Sequence, residues 1–203
     1  MKNVDPNLTD QRRRNRNRAM LLAIVALFLG SMIIAGALRF SGWRPSGMKN
    51  KGELLQPPAD LRRLTPKLLD GSEYRWNPLA RTWRIALAPP ADCGAECTTA
   101  ARNVHTVWGV LGREATRVDV LWLCPATPCA LPADAPRLAN LRLLQADAAL
   151  RTQLPRVDAV TFNGSRGVPV YVIDPNGFVI LRYAAGSDPG DLRSDLAKLL
   201  KLK

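Results

Sequence analysis

From Ala19 to Leu38 the chain reads AMLLAIVALFLGSMIIAGAL, 20 residues without a charge. At about 1.5 Å per residue, a helix of that length spans roughly the 30 Å of a bilayer core, so a membrane helix is expected. Lys2, Arg12, Arg13, Arg14, Arg16 and Arg18 precede it, and such a cluster stays on the cytoplasmic side. Residues 39 to 203 then belong across the membrane, in the periplasm, as the exported part of a single-pass inner-membrane protein. A cleaved signal peptide is the rival reading, because Ala35-Gly36-Ala37 has the A-x-A form of a processing site. Against it, the run exceeds the roughly 7 to 15 residues of a signal h-region, and Arg39 and Trp43 stand where interfacial anchors belong.

What lies beyond the helix is bounded by composition. A chain of 203 residues holds one ordinary domain with appendages, and 47% apolar residues suffice for a packed core. Sixteen Pro beside 14 Gly disfavour a helical bundle and favour short elements joined by turns, hence an α/β fold. Lys and Arg total 29 against 17 Asp and Glu, a net +12, but six of the basic residues flank the apolar run. Beyond the helix, 23 basic against 15 acidic residues leave +8 spread over 165 residues without aromatic interleaving, which excludes a nucleic-acid platform. The expected layout is a basic cytoplasmic N-terminus over 1–18, the membrane helix over 19–38, a Gly/Pro/Lys-rich tether over 39–67 and a domain over 68–203.

Within the domain, Asp70-Gly71 predicts a tight turn opening a small hairpin, and Trp83 to Ala88 (WRIALA), stopped by Pro89-Pro90, predicts a buried strand. After Cys93-Gly94-Ala95-Glu96-Cys97, the apolar spacing Val104, Val107, Trp108, Leu111 marks a helix from about Glu96, with Gly112 as its stop. Val118 to Leu123 is a second strand, and two strands joined by a helix make a parallel βαβ unit. A Pro-rich loop over 124–136, a strand at Leu141 to Leu144 and a short helix near Asp147 to Leu154 follow. Val170 to Ile173, the turn Asp174-Pro175-Asn176-Gly177 and Phe178 to Tyr183 form a hairpin. A last helix begins at Ser187 or Asp188 with Pro189 in its first turn and Leu192, Leu196, Leu199 and Leu200 on one face.

A cysteine at a helix N-terminus meets unpaired N–H groups and the positive end of the helix dipole, both of which favour the reactive, metal-binding thiolate. Cys93 and Cys97 therefore make a redox pair or a soft-metal clip for Cu(I), and the spacing does not choose between them. A purely structural disulfide is the plain alternative in an oxidising compartment. Cys124 and Cys129, five apart in a loop containing Pro125 and Pro128, are expected to bond to each other as a structural disulfide. Parallel strands end at one sheet edge, so exchange with the first pair and a four-thiolate metal site stay open. His105, eight residues after Cys97, lies about 12 Å along the same helix and is not expected to share a metal with it.

The order of elements, the cysteine pair between strand and helix and Gly167-Val168-Pro169 before the hairpin resemble the thioredoxin-like superfamily over residues 68 to 203. The C-x-x-x-C spacing, the tethered layout and the stretch Tyr171 to Gly177 (YVIDPNG) are similar to Sco/SenC-type proteins, membrane-anchored copper-delivery factors of cytochrome oxidase assembly. That resemblance implies a central mixed sheet flanked by helices and a cis Val168–Pro169 bond beside the cysteines, with Pro169 part of the working site. It also implies thiol-disulfide or Cu(I)-thiolate chemistry, and oxidase subunits or assembly factors as partners. Two departures stand out: Val168-Pro169 occupies the place of that family's metal-binding histidine, and Thr98 replaces the proline after its second cysteine. Cu(II) is therefore expected to bind poorly. A different class remains open, a noncatalytic tethered scaffold with purely structural disulfides. Asn163-Gly164-Ser165 is read as a turn rather than a glycosylation acceptor, and neither a Ser-His-Asp set nor a phosphate-binding glycine loop can be assembled.

Overall fold

The computed structural model of the chain describes residues 6–41, 50–129, 131–159 and 167–201. Trp43 and Asn163-Gly164-Ser165 lie outside the described residues. The chain divides into two units, Met1–Met48 and Lys49–Lys203. The first holds α1 (Pro6–Phe40), whose stretch Arg13–Phe40 is long enough, and in an 18-residue window of mean hydropathy 2.6 apolar enough, to cross a bilayer. Its apolar side chains, such as Leu27 and Phe28, are exposed along its length, as a lipid-facing surface requires.

The second unit is a six-stranded mixed sheet flanked by helices. In chain order it contains β1 (Glu53–Asp60), β2 (Trp83–Leu87), α2 (Ala95–Gly109), β3 (Val118–Leu123), β4 (Leu141–Leu144), α3 (Ala148–Thr152), β5 (Val170–Ile173), β6 (Phe178–Tyr183) and α4 (Pro189–Leu199). The sheet order is β1-β6-β5-β2-β3-β4. β2, β3 and β4 are parallel, whereas β5, β6 and β1 join antiparallel.

Strand alternation divides the core in two. Odd positions of β2 (Trp83, Ile85, Leu87) and even positions of β3 (Val118, Val120, Trp122) meet Val104 and Val107 of α2 and Leu192 and Leu196 of α4. The alternate positions, Ala86, Leu121, Tyr171 and Ile173, face Leu150, Leu154, Leu61 and Tyr74. Both faces are covered, which is why β2 reads as a continuous apolar run broken only by Arg84.

The tether over 39–67 is shorter than the sequence implied. Glu53–Asp60 is an edge strand on β6, with Glu53 opposite Arg182 and Leu54 opposite Leu181. Pro57 and Pro58 disguise it, since proline lacks a ladder donor and is tolerated only at an edge or an irregularity. The register breaks between Leu54 and Ala59, where the two prolines fall. The chain is fixed to the domain already at Gly52, which packs so closely on Tyr183 that a Cβ would lie 2.5 Å from the ring.

Other differences are small. α2 ends at Gly109 rather than Gly112, which instead takes a left-handed φ of 57° and opens a short 3-10 turn. α4 starts as its sequence implies, with Asp188 Oδ1 accepting from the Gly190 N–H. In the β5–β6 turn, Asp174 Oδ1 accepts from the N–H groups of Gly177 and Phe178. Gly177 has a φ of 101° and backs on Trp76, so both conformation and space require glycine.

Candidate thiol site

β2 carries the chain to the sheet edge and Pro89-Pro90 ends it there, with Pro89 O accepting from Arg151 Nη1 at 3.0 Å. Four residues later Cys93 stands just ahead of Gly94, which caps α2 without a side-chain bond. Cys97 lies in the first turn of α2, its N–H bonded to Gly94 O at 3.1 Å. The two cysteines are joined across a Cα separation of 5.7 Å. They are unequal: Cys93 is half-buried, whereas Cys97 is 4% exposed within the α2–α4 core. Asp92 and Glu96, both exposed, immediately precede the two cysteines in sequence.

Beside the pair is a cleft of about 420 Å³. It is lined by Ala95, Glu96 and Thr99 of α2, by Val168 and Val170, and by Leu192 of α4. Tyr183, also lining it, donates its hydroxyl to Asp195 Oδ2 at 2.9 Å. Burial pushes the Tyr183 hydroxyl up, and the Asp195 carboxylate pushes it further. Burial also pushes Asp195 up, but bonds from the Gly52 N–H, the Lys198 ammonium, the Lys51 N–H and Tyr183 outweigh it and leave the carboxyl below its ordinary value.

Pro169 departs from expectation. The cis peptide bonds among the described residues precede Pro57 and Pro128, so the Val168–Pro169 bond is trans. Pro169 O accepts from the Ala88 N–H at 3.3 Å, which adds a rung beyond Leu87 opposite Val170. The segment is thus already extended when it reaches β5, and a trans bond continues that line. Val168 nevertheless shares the apolar cluster of Cys97.

Cys124 and Cys129 are joined across a Cα separation of 5.4 Å after β3. Among the described residues, no group of three or more His, Cys, Asp and Glu is placed to hold a metal; the four cysteines are paired as two disulfides rather than gathered as a four-thiolate cage. His105 is half-buried on α2. Among the described residues, the soft ligands at the site are the two sulfurs of Cys93 and Cys97. For Cu(I), which accepts two sulfur ligands, a reduced pair fits; for Cu(II), the donor set falls short.

Two features escaped sequence reasoning. Arg84, inside β2 and buried, donates from Nε to the Tyr74 hydroxyl and from Nη1 to the carbonyls of Asp174 and Pro175. Tyr74 in turn donates to Asp119 Oδ2 at 2.8 Å. A charge inside an apolar strand was the available signal. Asp195 gave a similar one, standing between Leu192 and Leu199 on the apolar stripe of α4.

Residues 83–203 match the family model described as the transmembrane-like, thioredoxin-like, C-terminal domain. No curated protein matches the chain. Solved structures do. BsSco, a member of the Sco family of cytochrome c oxidase assembly proteins in which a disulfide switch was identified, is 16% identical with a TM-score of 0.53, over 75% of this chain and 98% of that one. Yeast Sco1 with copper bound is 12% identical with a TM-score of 0.53, over 75% and 93%. A SCO1/SenC family lipoprotein from Bacillus anthracis str. Ames is 17% identical with a TM-score of 0.50, over 72% and 99%. At such identities the likeness establishes a thioredoxin-like fold. With the family model running from the start of β2 to Lys203, this chain belongs to the transmembrane-like, thioredoxin-like family.

Proposed function

We propose that the chain is a membrane-anchored periplasmic accessory factor in cytochrome c oxidase biogenesis, acting through Cys93 and Cys97. The pair works as a dithiol-disulfide couple or, when reduced, as a two-sulfur carrier with Cu(I) as cargo. The observation that carries this reading is the inequality of the two sulfurs, one half-buried before the α2 N-terminus and one buried in its first turn. A partner's disulfide reaches the outer sulfur, and the inner one is placed to attack the mixed disulfide and release the partner. The positive end of the α2 dipole favours the attacking thiolate. The names of the Sco-family neighbours support the oxidase direction, and the apolar α1 supports a membrane anchor.

The test is complementation. Cells lacking the chain should assemble less active cytochrome oxidase, the wild-type chain should restore it, and a Cys93→Ser/Cys97→Ser variant present at equal level should not. Full restoration by the double variant would leave only a scaffold role.

A further inference from the structure

Each cysteine pair has an outer and an inner sulfur. Cys93 and Cys129 are half-buried, whereas Cys97 and Cys124 are 4% and 5% exposed. The two inner cysteines lie in one apolar cluster on the same face of the sheet. β2 and β3 are parallel neighbours, with Leu87 opposite Trp122, so both pairs follow strand ends on one edge of the sheet. Alternation along β3 puts 118, 120, 122 and then 124 on the face that α2 covers. Cys97 reaches that face from the first turn of α2, and Cys97 and Cys124 belong to one apolar cluster. Trp122 lies in the same cluster, and its buried Nε1 has no hydrogen-bond partner among the described residues. That leaves a donor in an otherwise apolar place where a transient thiolate would need one.

We propose that the two pairs form an internal disulfide relay, with Cys97 and Cys124 exchanging inside while Cys93 and Cys129 face partners. This rests on the reading of Cys93 and Cys97 as a redox pair. Once an external dithiol has reduced that pair, the Cys97 thiolate attacks Cys124 Sγ. A Cys97–Cys124 bond forms, the Cys124–Cys129 bond breaks, and Cys129 leaves as a thiolate. The Cys93 thiolate then attacks Cys97 Sγ, which re-forms the first disulfide and releases Cys124. Two electrons pass from the first pair to the second, and the protons of the consumed thiols end on the new ones. No metal and no further oxidant takes part. The second pair is then a two-electron store as well as a brace for its loop.

The experiment uses full-length protein in detergent. A Cys93→Ser/Cys129→Ser variant retains Cys97 and Cys124. After reduction, oxidised glutathione should close a Cys97–Cys124 bond within the monomer, seen by nonreducing peptide mapping. A Cys93→Ser/Cys124→Ser control should close at least about tenfold more slowly. Equal rates, or glutathione adducts and dimers alone, overturn the relay. A second measurement does not depend on how those variants fold. Dithiol is added to the wild type and thiols are alkylated over time, alongside Cys93→Ser/Cys97→Ser. The second pair should be reduced at least about tenfold more slowly when the first is missing. Equal rates overturn the relay while leaving the proposed function in place. A first pair that resists dithiol in the native wild type defeats both.

Discussion

Asp195 is 2% exposed, yet its carboxylate accepts from the N–H groups of Lys51 and Gly52, the Tyr183 hydroxyl and the Lys198 ammonium. One side chain thereby ties the start of the second unit, α4 and the cleft beside Cys93 together. Asp195→Ala leaves the Gly52 N–H and the Tyr183 hydroxyl buried without an acceptor, which should cost about 2 to 4 kcal/mol, read from urea unfolding. The acid response has a definite sign. Because the folded carboxyl titrates below its ordinary 3.8, its stabilisation is complete above that value and is lost as pH falls through the lower folded pKa. The stability gap between wild type and Asp195→Asn should therefore be widest near neutrality and shrink in acid. A gap unchanged between about pH 7 and pH 2.5 would show that the charge contributes nothing.

At the scale of elements, β1 is the test of how the domain is bounded. Leu61, immediately after β1, is fully buried against the face that holds Leu144 and Tyr171, although the sequence places it in a tether. Leu61→Ala should cost about 2 to 5 kcal/mol; a loss under about 0.5 kcal/mol, the scale of a surface change, would return 50–61 to the tether. The elements that carry the site were legible because their signals are local. The helical spacing of Val104, Val107 and Trp108 marked α2, Pro89-Pro90 marked the end of β2, and Asp174 to Gly177 marked the turn. β1 was not legible, because its identity depends on an edge partner 129 residues away, as the Glu53–Arg182 pair illustrates. Pro169 shows the same limit in reverse: its local sequence permits either isomer, and the rung from Ala88, set by the β2–β5 register, accompanies the trans form. Arg84 was visible as an anomaly, but its partners on the Tyr74 segment and the β5–β6 turn depend on the assembled fold.

For the molecule as a whole, the arginine-flanked α1 predicts that the C-terminal unit is exported. A reporter active only outside the cytoplasm, fused after Lys203, should be active; activity of a cytoplasm-only reporter at the same place would invert the orientation. Copper loading follows from the same account. The reduced protein should bind one Cu(I) through Cys93 and Cys97, whereas a stable Cu(II)-thiolate absorption band in the wild type would reveal a ligand beyond the two sulfurs. The proposed function and the relay both depend on the first pair being a working couple. The direct measurement is thiol trapping of the native full-length protein in its membrane, titrated across dithiol buffers of defined potential, with each cysteine located by peptide mapping. The account predicts that Cys93 and Cys97 gain label together, as a reversible two-electron couple, while the protein stays folded. A pair that takes label only after denaturation would make Cys93–Cys97 a staple and contradict the account.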